Sequence, residues 1–171
     1  MNISLPESKT KFLKTPGFTL IELLIVMAII GVLATLFIGG YTGTQRKARD
    51  ANRKSDLKQI ANSLEIYFND HNRYPAESSG TIAGCPSTTS TSCAWGSGEF
   101  TDTLTVYYKT VPADPLVASG GIYVYHTDAN GTFYRLFARL ENLQDSDIIT
   151  TLESCGTGGC NFAITSGNVN P

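Results

Sequence analysis

The 171-residue chain has no Cys-x-x-Cys pair, no phosphate-cradling glycine loop and no recognisable nucleophile motif. Its two histidines, His71 and His126, stand beside neither a serine nor a cysteine. Zinc, nucleotide and triad chemistry therefore have no local signature, and no enzyme is expected. No internal repeat marks a solenoid. The acidic stretch near Asp145 lacks EF-hand spacing. The most basic segment holds no aromatic residue on which a base could stack, so no nucleic-acid partner is expected. Nor does a small-x-small site follow the long apolar run, as it would in an ordinary secretory signal.

That run is the dominant feature. Gly17 to Ile38 reads GFTLIELLIVMAIIGVLATLFI, long enough to cross a bilayer. Lys9, Lys11 and Lys14 precede it and would hold the N-terminus on the cytoplasmic side. A retained anchor in the cytoplasmic (inner) membrane follows, crossing once with the rest of the chain outside. Glu22 is the one acid in the run, and a lone carboxylate in hydrocarbon marks a functional position. Gly31, Gly39 and Gly40 interrupt the helical pattern, and each interior glycine costs about 1 kcal/mol relative to alanine. They make that part of the helix its most flexible.

A second helical segment continues without a strong turn. Between Thr44 and Asp70, the residues Ala48, Ala51, Leu57, Ile60, Ala61, Leu64, Tyr67 and Phe68 recur at helical spacing as one apolar stripe. Asp50 and Lys54 form an acid-to-base pair at the favoured four-residue offset. Arg73-Tyr74-Pro75 ends the helix, because the residue before proline avoids helical geometry. A single helix from Phe18 to Asp70 would span about 80 Å. Its first half is apolar all round, so only its second half has a face for packing on a soluble head.

The remainder reads as that head. Ala76 to Phe100 is a polar surface loop with Trp95 as its anchor. Ile122 to Tyr125 and Thr132 to Ala138 have strand composition and flank the turn Asp128-Ala-Asn-Gly131, which predicts a hairpin. Leu152 to Ala163 would add an edge strand, and the final ITSGNVNP a flexible tail. The predicted class is α+β: a long N-terminal helix packed on a small antiparallel sheet.

All four cysteines, Cys85, Cys93, Cys155 and Cys160, follow the apolar run, which suits disulfides in an oxidising exterior. Three pairings are open, and short loop closure favours Cys85–Cys93 and Cys155–Cys160. The net charge of −2 hides an asymmetry. Arg46 to Lys58 carries six bases against Asp50 and Asp56, whereas beyond Lys58 four bases face eleven acids. Such a basic segment could complement the acidic head of another copy. Glu141, Asp145 and Asp147 cluster after the hairpin, and hard cations such as calcium take carboxylate and carbonyl oxygens. A structural calcium there is the one candidate cofactor.

The segment Gly17-Phe18-Thr19-Leu20-Ile21-Glu22 with LLIVMAIIGVLA resembles the signal of type IV pilins and type II secretion pseudopilins. That resemblance implies cleavage by a prepilin peptidase between Gly17 and Phe18, methylation of the new Phe18 terminus, and a role for Glu22 in registering subunits. The leader would then be 1–17, the transmembrane and filament-core helix 18–40, the amphipathic helix 41–75, and the head 76–171. The segment YFNDHNRYP and the VPADP stretch, Val111 to Pro115, are also similar to major pseudopilins. In that group the acidic loop after the sheet binds calcium. The resemblance implies a structural filament subunit whose partners are other copies of itself, the peptidase, an assembly machine in the membrane, and lipid before assembly. The helix-breaking proline of many pilins is absent, and Gly39 and Gly40 stand near its place. The rival reading is a monomeric, membrane-tethered binding module, or a minor pilin acting in DNA uptake.

Overall fold

The computed structural model describes residues 17–83, 92–102 and 104–167, without the side chains of 36–40. Residues 1–16 of the leader, Cys85 and part of the expected 76–100 loop lie outside the described residues. Helix α1 runs Leu20–His71, one residue beyond the expected end. Asn72 closes it in the left-handed conformation at φ 53°, its N–H donating to the Phe68 carbonyl at 2.7 Å. Pro75 then prevents continuation.

Two compact units divide the chain, 1–42 and 43–171. In the first, the apolar side chains of α1 are exposed all round, with Leu20 84% and Met27 67% exposed. Among the described residues, no helix is long and apolar enough to cross a membrane. The side chains of 36–40, which complete the stretch expected to span, lie outside that description.

The second unit is α+β. The α1 face bearing Leu57, Ile60, Ala61 and Leu64 is buried against Ile82, Phe100, Val111, Tyr123, Tyr125, Leu136, Ala138 and Leu140. Burying a large aliphatic side chain there contributes about 1.5–3 kcal/mol. Tyr67 and Phe68 pack at the edge of the same core. Ala48 and Ala51 do not belong to it: both are exposed, and Asp50 and Arg53 are buried in their turn of the helix instead. The expected Asp50–Lys54 pair is likewise replaced, since Asp50 meets Arg53 and Lys54 turns to the loop after the sheet.

Three antiparallel sheets face the helix. Strands β1 (Glu77–Ser78) and β2 (Thr81–Ile82) form a hairpin whose loop residues, Ser79 and Gly80, both have positive φ, as a type I′ turn requires. Strands β3 (Phe100–Thr101) and β4 (Val106–Tyr108) pair across a turn in which the Asp102 carboxylate accepts the N–H groups of Leu104 and Thr105. Neither hairpin was expected from the sequence, because these strands are only two or three residues long and carry no readable alternation.

The expected hairpin is present two residues later than its composition suggests. Strand β5 (Val124–Thr127) pairs with β6 (Tyr134–Ala138) in the register Val124↔Phe137 to Thr127↔Tyr134. Strand β7 (Phe162–Thr165) adds to β6 and so takes in Ile164 and Thr165, which the sequence reading placed in the tail. Tyr123 and Tyr125 point to the helix side, their hydroxyls donating to Asp56 and to the Pro75 carbonyl at 2.8 and 2.7 Å. Val124 and Phe137 occupy the opposite face, where Cys155 and Cys160 bury them. The Cys155–Cys160 disulfide therefore covers the outer face of this sheet. Cys93 is disulfide-bonded too.

Gly131 holds the β5–β6 turn at φ 66°, and its carbonyl accepts the Tyr74 N–H at 2.8 Å. A Cβ there would stand 2.6 Å from the Tyr74 carbonyl oxygen. Gly131→Ala should therefore destabilise the head by about 2 kcal/mol or more, read by chemical denaturation.

Candidate functional site

At the start of α1, Gly17 and Phe18 are exposed and precede the first helical residue. Thr19 caps the helix: its hydroxyl accepts the Glu22 N–H at 3.3 Å. Glu22 Oε2 in turn accepts the Thr19 N–H at 2.9 Å and the Thr19 hydroxyl at 2.8 Å. This reciprocal pair is a capping box, in which two otherwise orphaned donors are satisfied. Thr-Leu-Ile-Glu carries the T-x-x-E signature of such a box, a local signal that the apolar character of the run obscures. Glu22 thus has a role within its own chain, closing the helix that it also occupies. Gly31 lies within α1 with open space around it, and Gly39 and Gly40 also lie within the helix.

In the head, the charged side chains of α1 gather the loops. Arg53 is buried and forms a two-pronged pair with Asp114, Nε to Oδ2 at 2.7 Å and Nη2 to Oδ1 at 3.0 Å. Its Nη1 donates to Asp50 at 2.7 Å and to Glu141 at 2.9 Å. Asp50 also accepts the N–H groups of Glu141 and Asn142 at 2.8–3.1 Å, fixing the chain where it leaves β6. Arg49 grips Glu141 with Nε and Nη2 at 2.7 and 2.6 Å. Asp114, from the VPADP stretch, further accepts the Leu116 N–H at 2.7 Å. Gly121 allows that approach, since a Cβ on it would meet Asp114 Oδ1 at 2.7 Å.

Electrostatics follow this geometry. The Arg49 bond, opposed by burial and reinforced by Arg53, holds the Glu141 carboxyl down to about 2. Burial disfavours the Arg53 charge, but its carboxylate partners outweigh that and raise its pKa. Burial pushes the Asp56 carboxyl up against the opposing Tyr123 hydrogen bond. At the far side of the sheet His126 bridges Glu77 and Glu153 at 2.7 and 3.0 Å. Burial lowers the His126 pKa and the two carboxylates raise it, the net shift being upward.

Structure divides the three acids singled out for calcium. Glu141 faces Arg49 and Arg53, while Asp145 and Asp147 share the Lys54 ammonium at 2.6 and 2.7 Å. Among the described residues no group of three or more His, Cys, Asp or Glu side chains converges as metal ligands do. The basic run is likewise partly consumed at home, because Arg49, Arg53 and Lys54 are paired inside the head.

The comparisons with known proteins fall on this frame. A family model described as the prokaryotic N-terminal methylation motif matches residues 14–38. A second, described as type II secretion system (T2SS), protein G, matches residues 40–139. The chain belongs to the type II secretion protein G family. Relatives include the type II secretion system core protein G of Escherichia coli (strain K12), 32% identical over 104 residues, 60% of this chain and 67% of that protein. The Aeromonas hydrophila core protein G is 39% identical over 67 residues, 39% of this chain and 47% of that protein. The type IV major pilin protein PilA of Myxococcus xanthus is 40% identical over 58 residues, 34% of this chain and 26% of that protein. The chain thus spans about half the length of the Aeromonas relative. No solved structure matches significantly. The protein G match takes in Arg53 and Asp114 but ends two residues before Glu141. The loop after β6, the Cys155–Cys160 bridge and β7 all lie beyond it.

Two outcomes follow. Arg53→Met leaves Asp114 and Asp50 as buried, uncompensated charges and should cost about 3–5 kcal/mol, measured by denaturant unfolding. Because the Glu141 pKa is depressed from 4.5 to about 2, its contribution is present above the ordinary carboxylate range and lost as pH falls through that window. Unfolding midpoints measured across that interval should drop less steeply for Glu141→Gln than for the unaltered chain.

Proposed function

We propose that this chain is a structural subunit of a secretion pseudopilus or a type IV pilus-like filament, and not an enzyme. The methylation-motif match at 14–38, together with the exposed apolar side chains that α1 carries from Leu20 to Leu33, carries this reading. Such a surface requires an apolar environment, supplied first by lipid and then by the same helices of neighbouring copies. On this reading the subunit is anchored in the inner membrane through 18–40 with its head outside. A prepilin peptidase cuts between Gly17 and Phe18, Phe18 is methylated, and an assembly machine draws the subunit into an extracytoplasmic filament. Gly31, Gly39 and Gly40 give the core helix room to adjust during that transfer. The affinity to core protein G favours the secretion pseudopilus over the pilus.

Glu22 has two successive tasks in this scheme. Its carboxylate closes the capping box in the single chain and meets the Phe18 amine of a neighbour in the water-poor filament core. Glutamine serves in a capping box as glutamate does, so Glu22→Gln separates the tasks. Processed subunits should accumulate at the usual level, with Phe18 as the N-terminus by sequencing, while filaments seen by electron microscopy fall at least tenfold. Undiminished filaments from the Gln variant would refute the pairing. An uncut N-terminus in the unaltered protein would favour the tethered monomer instead.

A further inference from the structure

The loop after β6, residues 141–148, is where the family resemblance implies calcium and where this chain has placed something else. Lys54 reaches from α1 between two carboxylates, its Nζ 2.6 Å from Asp145 Oδ1 and 2.7 Å from Asp147 Oδ2. Beneath the ammonium lies the Phe162 ring of β7, its centroid 5.5 Å away. An aromatic face attracts an ammonium but offers no oxygen to a hard cation, which takes six to eight oxygen ligands. Glu141, the third acid, is held by Arg49 and Arg53. The loop is otherwise folded on itself: Asp145 Oδ1 accepts the Asp147 N–H at 3.0 Å, and the Asn142 carbonyl accepts the Asp145 N–H at 3.1 Å. The donor set therefore suits an organic cation and does not fit calcium.

We propose that the ε-ammonium of Lys54 is a built-in substitute for a bound calcium ion, fastening the 141–148 loop to α1 so that the head holds together without metal. The inference is independent of the filament reading, for it concerns only what clamps this loop. Lys54 is on the helix and both acids are more than ninety residues away in sequence. One point charge thus replaces a ligand cage.

The experiment uses the full chain in detergent, melted in excess EGTA and in millimolar calcium chloride. The unaltered protein should melt at the same temperature, within about 1 °C, in both. Lys54→Met should melt lower by about 3 °C or more in EGTA, because two neighbouring carboxylates lose the cation they share. A melting temperature for the unaltered chain that rises in calcium by as much as the Lys54→Met loss would overturn the proposal. So would a Lys54→Met variant that melts with the unaltered chain. If that variant does not fold, calorimetric titration of the unaltered chain with calcium chloride decides: saturable micromolar binding overturns the proposal and its absence supports it.

Discussion

A guanidinium withdrawn from water must find a partner for its donors, and Arg53 does so by collecting three stretches of chain. Asp114 comes from the loop before β5, Glu141 from the exit of β6, and Asp50 from the preceding turn of its own helix. A buried pair of this kind is weak evidence for raw stability, because desolvation offsets much of the attraction. What it supplies is position. Apolar contacts between Leu57, Ile60, Leu64 and the sheet tolerate small slides of helix on strand, whereas a two-pronged bond to Asp114 does not. The loops at one end of the head are set by that bond, and the Lys54 clamp builds on the same turn of helix.

How much of this could be read in advance depended on which force dominated each segment. The long helix, its core stripe from Leu57 onward and the β5–β6 hairpin were legible, since each rests on a hydrophobic period or a turn signal. The stripe misled at its beginning. Ala48 and Ala51 look apolar, yet the buried phase runs Asp50, Arg53, Leu57, Ile60, Leu64, and its first two members are charged. That continuous spacing of three and four residues was the available clue, and it was masked by the rule that charges face water. The two short hairpins were not legible because a strand of two residues has no period.

The candidate site divides in the same way. Gly17, Phe18 and Glu22 stand out by a motif; the capping box in which the structure places Glu22 has its own four-residue signature, Thr19 to Glu22, in the same stretch. The acids Glu141, Asp145 and Asp147 were found as a cluster, and their partners were not. Arg49, Arg53 and Lys54 lie about ninety residues upstream, and no spacing rule connects a helix face to a loop across a whole sheet. Charge counting left those bases free to complement another copy of the chain or to face solvent. In the fold they are first used internally.

The bridge between Cys155 and Cys160 has a consequence in time as well as in space. It forms the lid over Val124 and Phe137, so the outer layer of the β5–β6–β7 sheet is finished by an oxidation and not by packing alone. Thiols stay reduced in the cytosol and pair outside it. On the proposed route, a head still on the cytoplasmic side has an unfinished sheet, and only one that has crossed can close it. Maturation of the two parts of the chain would then be separated by the membrane: the peptide bond after Gly17 is cut on one side, and the bridge over the sheet is made on the other.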